Sequence, residues 1–302
     1  MKVGYPCINN SLNCVGDRTF RLKSYSEAKL KATVDNNLSC LEQIIRYNIK
    51  HNILFFRITS DLIPFASHPV CKFDWPAYFS VQFSKIGKLI RNNGIRISMH
   101  PDQFIVLNSK DPDVVARSIA ELDYHAKVLD LLGLDATAKI QLHVGGVYRD
   151  KPVSLERFKL VFSELDPKLQ HRLVIENDER NYTLSDCLEL NKDLKIPILF
   201  DFFHHRLNSS GETLTESLEK ISKTWRAMDG LPMVDYSSQN PNLNTGSHAL
   251  TLDVRDFKSF ISTSHPFDFD LMLEIKDKEK SAKTAVEILN NDKRFIKLHK
   301  VV

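Results

Sequence analysis

Residues 173–205, LVIENDERNYTLSDCLELNKDLKIPILFDFFHH, contain the structural unit from which the fold is predicted. The stretch begins and ends with short apolar runs, at residues 173–175 and 196–200, and each run is followed by an acidic residue. Between them, residues 184–191 repeat apolar side chains at the spacing of an amphipathic helix. Apolar strands with little alternation are typical of a parallel sheet that helices cover on its outer face. The stretch therefore predicts a strand–helix–strand unit.

The same alternation recurs along the whole chain, which has no low-complexity linker and no repeat of fixed length. Further apolar runs lie at residues 3–5, 53–58, 95–99, 140–142, 233–234 and 271–273. Further helical patterns lie at residues 26–47, 76–92, 112–132, 155–165, 214–228, 253–262 and 281–289. Eight strand–helix pairs in strict order predict an α/β fold, a single (β/α)8 TIM barrel over residues 1–302. Shifted element boundaries would also allow seven or nine units.

Composition limits the class of protein and of partner. The chain has 302 residues, with 41 Lys and Arg against 38 Asp and Glu, so its net charge is +3. A DNA partner would require this mild positive excess to be gathered on one face. Neither a signal peptide nor an apolar run of the roughly 18 residues that cross a bilayer is visible. We therefore expect a cytoplasmic, nucleoid-associated protein without membrane contact.

The cysteines suggest a reducing environment. There are five of them, and no two have the C-x-x-C spacing. An odd number without that spacing argues against a disulfide framework and against a zinc site made of thiolates.

Ionisable residues follow the predicted strands at one end of the barrel, where barrel enzymes place their catalytic groups. The third to eighth strands are each followed by an imidazole or a carboxylate, and neighbouring loops add three histidines. Any one of these residues could be a surface group or a helix cap. Packing gives no reason for nine of them together, whereas divalent cations do. The nine are His68, His100, His143, Glu176, Asp201, His204, Asp235, His248 and Glu274.

Nitrogen and oxygen ligands without sulfur suit zinc, manganese or iron, and nine groups suffice for two or three ions. Several metal ions at one rim indicate hydrolysis, because metals activate water and neutralise charge on a leaving oxygen. Phosphodiester cleavage uses both roles. Sugar isomerisation also uses paired metals in barrels, so the centre alone leaves the substrate open.

Sequence blocks in fixed order resemble the UV damage endonuclease family. The blocks lie at residues 4–7 (GYPC), 57–68 (RITSDLIPFASH), 98–104 (SMHPDQF), 142–146 (LHVGG), 176–180 (ENDER), 201–205 (DFFHH) and 246–248 (GSH). A further match at residues 273–276 extends the resemblance over almost the whole chain. Seven blocks in order are far more specific than any one of them.

This resemblance implies a DNA repair enzyme of the excision type. Such an enzyme nicks damaged double-stranded DNA on the 5′ side of cyclobutane dimers, 6-4 photoproducts and some other distorting lesions. It uses two or three divalent ions, typically Mn²⁺, with Mg²⁺, Zn²⁺ or Co²⁺ as alternatives. Of the nine residues above, all except Asp235 fall on metal positions of the family, and Asp235 can still bind a metal through oxygen. Five of the nine are expected to be catalytic: His100, His143, Glu176, Asp201 and Glu274.

The resemblance also implies residues that contact DNA. Tyr5 and Asn9 are expected to line the lesion pocket, while Gln103 and Phe104 are expected to enter the duplex. Positively charged residues on the same rim are candidates for contacts to the DNA backbone. These are Arg57, Arg180 and Lys276.

Two positions depart from the family pattern. Relatives often have Lys-x-His at the end of the seventh strand, whereas this chain has Met233, Val234 and Asp235. Met233 cannot bind a hard cation as a modified lysine could, so one metal position is in doubt. Phe104 stands where a tyrosine is often found.

Two other functions fit part of the sequence. An apurinic/apyrimidinic endonuclease or a sugar isomerase of the same superfamily would explain the barrel and the metals. A lesion-binding protein with a structural metal site is a second alternative, although structural sites usually have four ligands and no open position. We expect a monomer that uses no nucleotide cofactor.

Overall fold

The computed structural model describes residues 1–102 and 104–298, and eight parallel strands close into a barrel. Each strand pairs with its sequence neighbours, and the eighth closes the barrel against the first. The strands are β1 (Val3–Pro6), β2 (Phe55–Ile58), β3 (Arg96–Met99), β4 (Lys139–His143), β5 (Leu173–Glu176), β6 (Ile198–Asp201), β7 (Met233–Tyr236) and β8 (Asp270–Leu273). The predicted (β/α)8 fold is confirmed. That residues 1–302 form one domain stays a prediction.

Helices connect the strands and cover the barrel. They are α1 (Glu27–Lys50), α2 (Trp75–Tyr78), α3 (Ser80–Asn92), α4 (Pro112–Leu131), α5 (Lys151–Glu164), α6 (Pro167–Gln170), α7 (Leu184–Leu194), α8 (Phe202–Leu207), α9 (Leu214–Ser222), α10 (Val254–Thr263) and α11 (Glu279–Leu289). Side-chain caps fix several starts, as where Thr183 and Asp186 form a capping box at α7. The helix predicted over residues 214–228 ends earlier, at Ser222, because the chain turns towards β7 there.

Alternate strand residues point into the barrel, as the two-residue period of a strand requires. The middle of the interior is apolar, and its buried residues form a cluster of Phe55, Val174, Leu199, Trp225, Met233 and Met272. Both ends of the interior carry buried charged residues. The intervening positions, such as Phe56 and Ile175, face the helices and belong to the larger apolar core. An apolar layer in the middle of the barrel interior therefore separates the polar regions at its two ends.

The cysteines include one disulfide, which the sequence did not predict. Cys14 in the β1–α1 connection and Cys40 in α1 form a disulfide, whereas Cys7, Cys71 and Cys187 are free. No local pattern indicated this bond, because the two residues lie 26 positions apart and meet only when the connection folds onto α1. In the part of the chain that the structure describes, no helix has the length and apolar character needed to span a membrane.

Candidate active site at the carboxyl end of the barrel

The strand ends bring the predicted ligand residues together. His143, Glu176 and Asp201 are the last residues of β4, β5 and β6. In register, His143 lies beside Glu176, and Asp201 lies beside Asp235 of β7. Parallel neighbouring strands therefore place their terminal side chains at one height in the barrel mouth.

Asp201 also positions a histidine. Its Oδ1 atom accepts a hydrogen bond of 2.7 Å from the backbone N–H of His204, so it caps α8. This cap starts the short helix directly after β6, and the His204 ring turns towards Glu176, with 3.1 Å between Nδ1 and Oε1. One aspartate thus belongs to the cluster and also orients a second member of it.

Three adjacent groups of side chains offer ligand atoms that lie within 4.8 Å of one another. The groups share members, so they form a continuous row across the barrel mouth. Glu176 belongs to two of them, and its Oε2 atom lies 3.7 Å from His100 Nε2 and 4.0 Å from His143 Nε2. The groups are His100–His143–Glu176, Glu176–Asp201–His204 and Asp201–Asp235–Glu274.

Several buried polar atoms in this row lack a hydrogen-bond partner among the described residues. They are Asp201 Oδ2, Asp235 Oδ1 and His143 Nδ1. Leaving such an atom unpaired costs about 1–3 kcal/mol, so native proteins rarely do so. Carboxylate oxygens and imidazole nitrogens are suitable donors for divalent cations. The side chains present therefore fit a metal centre.

Burial and neighbouring charge shift the pKa values of the carboxyl groups in opposite directions. Burial raises the pKa of Asp201 to about 7, although His204 opposes this. Burial also opposes ionisation of Glu176, but His143 and His204 outweigh it and hold the pKa of Glu176 well below its usual range. For Glu274, the charge of Arg57 overcomes the effect of burial and lowers the pKa to about 2.

Arg57 makes hydrogen bonds to two carboxylates in the barrel mouth. Its side chain is only 3% exposed, and its guanidinium donates to Glu274 Oε1 and to Asp235 Oδ2, the latter at 2.5 Å. Arg57 also lines the open pocket in the barrel mouth, but these side-chain hydrogen bonds go to carboxylates. Its predicted contact with the DNA backbone stays a prediction. The two-residue period of a strand could have predicted this orientation, since Arg57 lies two residues after the inward-facing Phe55.

Sequence reasoning missed Gln141. Its Nε2 atom donates to Glu176 Oε2 at 2.9 Å and to Asp235 Oδ2 at 3.0 Å, so it links two carboxylates from strands that are not adjacent. Gln141 lies two positions before His143 in β4 and therefore faces the same way. The two-residue period of the strand could have predicted that Gln141 points into the barrel.

Two histidines outside the three groups differ in position. His248 lies in the barrel mouth, with its Nδ1 atom 2.8 Å from the backbone oxygen of Glu274. His68 is exposed, its Nδ1 atom accepts from the backbone N–H of Val70, and its ring packs on Phe65. The structure does not bring His68 to the three ligand groups, because the β2–α2 connection folds locally around it.

Tyr5 and Asn9 are both buried, and a hydrogen bond joins them. Tyr5 is fully buried, its hydroxyl donates to Asn48 Oδ1 in α1, and Asn9 Nδ2 donates to that hydroxyl, both bonds being 2.7 Å long. Tyr5 points outwards from β1 towards the helices because its neighbour Gly4 takes the inward position, where the backbone of Phe55 leaves no room for a side chain. Neither side chain lines the open pocket at the barrel mouth, and the role of this pair at a lesion stays a prediction.

An open pocket of about 550 Å³ lies above the ligand groups. Phe104 is on its rim and 75% exposed, and Lys276 belongs to its lining, whereas Gln103 lies outside the described residues. A smaller neighbouring pocket shares the His100 and His143 wall and includes the exposed Arg180. The pocket wall is formed by Pro6, Cys7, Arg57, Ser60, His100, Pro101, Asp102, Phe104, His143, His248, Glu274, Ile275, Lys276 and Lys278.

The fold and this site define a class of protein: a (β/α)8 barrel whose strands carry, at their carboxyl ends, a cluster of side chains that fit a metal centre. The family model of the UV-endonuclease UvdE matches residues 1–301. The chain belongs to this family.

Individual relatives agree with the family match. A UV DNA damage endonuclease of Clostridium perfringens (strain 13 / Type A) is 40% identical over 284 residues, which are 93% of this chain and 69% of the relative. One from Bacillus cereus (strain B4264) is 35% identical over 259 residues, covering 85% of this chain and 82% of the relative.

Two solved structures are similar to this chain, one of them at high sequence identity and the other in fold alone. The crystal structure of SacUVDE is 44% identical and superposes with a TM-score of 0.92 over 96% of this chain and 98% of that one. Endonuclease IV from Thermus thermophilus reaches a TM-score of 0.56 at 16% identity, over 83% of this chain and 93% of that one. At that identity the likeness shows the fold alone.

Proposed function

We propose that this protein is a DNA repair endonuclease that hydrolyses the phosphodiester on the 5′ side of ultraviolet photoproducts. The observation that carries the proposal is the continuous row of three ligand groups on the floor of an open, partly basic pocket. Membership of the UV-endonuclease family supports the substrate, since the named relatives are UV DNA damage endonucleases. Cyclobutane dimers and 6-4 photoproducts are the proposed lesions.

The proposed cofactor is a set of divalent ions, with manganese as the preferred metal. The ligands would come from the three groups and from His248 in the barrel mouth, with His68 as the least supported candidate because it is exposed and lies outside the groups and the pocket lining. Bound metals would supply an activated water and charge neutralisation at the leaving oxygen. Glu176, shared by two groups, would orient two ions, and Gln141 holds the Glu176 carboxylate in place.

The proposed DNA contacts lie above the centre. Phe104 would stack in the gap left by a displaced base, and Gln103 beside it would offer a donor and an acceptor to an unpaired base edge. Lys276 and Arg180 would bind backbone phosphates, because both lie on pocket walls that meet at His100 and His143. For Arg57, Tyr5 and Asn9, which are buried, a contact with DNA stays a prediction.

The remaining parts of the proposal concern the protein as a whole. We propose a monomeric, cytoplasmic protein that associates with the nucleoid through its DNA substrate. Residues 1–302 would form one catalytic domain.

The test is incision of end-labelled duplexes by protein that is saturated with Mn²⁺. Three substrates are compared, carrying a cyclobutane dimer, a 6-4 photoproduct or an abasic site, with an undamaged duplex as the control. We expect a nick immediately 5′ of both photoproducts, and no nick after a chelator has removed the metal.

The other outcomes distinguish the alternatives. Incision at the abasic site alone would favour an apurinic endonuclease and contradict the proposal. Tight binding to the dimer duplex without any incision would indicate a lesion-binding protein. A Glu176→Gln variant should not nick either photoproduct, and Glu156→Gln is its matched control, since Glu156 lies exposed on α5.

A further inference from the structure

A buried arginine lies inside the third ligand group. The Arg57 guanidinium donates to Asp235 Oδ2 at 2.5 Å and also to Glu274 Oε1, and these carboxylates are two of the three members of that group. The Arg57 side chain is 3% exposed and that of Asp235 is fully buried, so water screens their charges little. A permanent positive charge therefore already lies where a third cation would bind.

We propose that Arg57 takes the place of one metal ion, so that the centre binds two divalent cations and not three. The inference rests on the metal-dependent function proposed above and specifies its centre. One ion would bind at the first ligand group and the other at the second, with Glu176 between them. Those two groups consist of His100, His143 and Glu176, and of Glu176, Asp201 and His204.

Net charge favours two ions. Metal ligands bind in their deprotonated form, so Glu176, Asp201, Asp235 and Glu274 together carry four negative charges. With Arg57 the side chains have a net charge of −3, which two divalent ions change to +1 and three change to +3. A phosphodiester carries one negative charge, so it would make the two-ion centre neutral. A third ion would leave a buried excess of positive charge, which is costly in a medium of low polarity.

The carboxylate oxygen atoms of Asp235 that remain free also indicate two divalent ions. Its Oδ2 atom accepts from both Arg57 and Gln141, so only Oδ1 is free among the atoms that the structure describes. Asp235 lies in register with Asp201, whose Oδ2 atom is also buried and unpaired in that part of the chain. Two neighbouring free oxygens can complete the coordination of the second ion.

Met233 does not add a ligand for a third ion. Its side chain is fully buried in the apolar layer with Phe55 and Met272, below the carboxylates. A thioether is in any case a soft ligand that suits manganese poorly. The third group therefore has only carboxylates, and Arg57 holds one oxygen of Asp235 and one of Glu274.

The experiment counts manganese per chain by elemental analysis after equilibrium dialysis against excess Mn²⁺. The parent protein is compared with Arg57→Met, with the double variant Arg57→Met/Asp235→Asn, and with Arg46→Met. The last variant makes the same chemical change at an exposed site on α1, where the Arg46 side chain is 58% exposed. We expect about two ions in the parent, in the double variant and in Arg46→Met, and about three in Arg57→Met.

The unfolding midpoint with and without Mn²⁺ gives a second readout that does not depend on activity. Manganese should raise the midpoint of Arg57→Met more than that of the parent, because the carboxylate oxygens that Arg57 occupies become free to bind a further ion. If Arg57→Met does not fold without metal, it is refolded with Mn²⁺, and Arg57→Lys, which keeps the charge, should bind about two ions.

The two proposals fail in different ways. About three ions in the parent, or about two in folded Arg57→Met, would overturn this inference and leave the endonuclease proposal intact. A parent protein that binds no manganese would overturn the metal-dependent function itself.

Discussion

The two ends of the barrel interior both contain buried charges, but they balance them differently. At the amino end, Arg96 pairs with Asp270 at 2.9 Å and Lys139 pairs with Asp229 at 2.6 Å. Backbone carbonyl groups take further hydrogen bonds from both cations. At the carboxyl end, Arg57 pairs with Asp235 and Glu274, two of the four carboxylates in the ligand groups, and several ligand atoms have no partner among the described residues.

This difference indicates a structural role for the charges at the amino end and a ligand-binding role for those at the carboxyl end. Buried charges that are paired and fully hydrogen-bonded hold a fold together and leave little affinity for a ligand. An excess of one charge with unpaired atoms is unstable by itself and favours binding of the opposite charge. The amino end therefore serves closure of the barrel, whereas the side chains of the carboxyl end fit a centre for cations.

The largest effect is expected where the carboxyl end loses its shared ligand. Glu176→Gln keeps the shape of the side chain and removes the charge that two ligand groups use. We expect incision of a dimer duplex to fall by at least about 10²–10³-fold. Unfolding of the metal-free variant should resemble that of the parent or occur at a higher midpoint, since one buried charge is lost. Normal incision at full metal occupancy would remove Glu176 from the centre.

The opposite result is expected at the amino end. Lys139→Met removes the buried partner of Asp229, which keeps its pair with the partly exposed Arg226, so the free energy of unfolding should fall by about 1–3 kcal/mol. The manganese content and the incision rate per folded molecule should not change. Lys85→Met is the control, because Lys85 makes an ion pair at the surface and its side chain is 62% exposed. A loss of manganese from folded Lys139→Met would contradict the separation of the two ends.

The pH dependence of stability sharpens the comparison further. Burial lowers the pKa of Lys139 to about 8 in the folded protein and outweighs the attraction of Asp229, whereas the ordinary value is 10.5. Between these values the unfolded chain binds more protons than the folded one, so the contribution of Lys139 to stability rises with pH. The difference in unfolding free energy between the parent and Lys139→Met should grow by about 1–3 kcal/mol from pH 8 to pH 10.5. A constant difference would show that Lys139 does not titrate in this range.

A smaller effect is expected above the carboxyl end. Phe104 is 75% exposed, so Phe104→Ala should change the unfolding midpoint little. Binding of a dimer duplex should weaken by about 1–3 kcal/mol if the ring stacks on a base. Leu160→Ala, at an exposed position on α5, is the control. A variant that loses stability but binds damaged DNA normally would mean that Phe104 only packs its own loop.

The sequence predicted the fold because strand and helix periods are local properties of the chain. It also predicted which residues end the strands, and seven of the nine ligand candidates, all except His68 and His248, fall in the three groups. It did not predict that Tyr5 and Asn9 are buried, since a family resemblance does not say which side of β1 faces the pocket. It failed for Cys14 and Cys40 because their contact depends on how a long connection folds onto α1.

The sequence by itself therefore determined the barrel and the kind of chemistry at its mouth. Only the tertiary structure decided which side chains Arg57 contacts, whereas the sequence placed it on the catalytic rim. Its contacts with Asp235 and Glu274 join β2 to β7 and β8, residues separated by 178 and 217 positions in the chain. Local patterns determine which way a side chain points from its strand, whereas barrel closure determines which charges it meets. The balance of charge at the centre depends on those distant contacts.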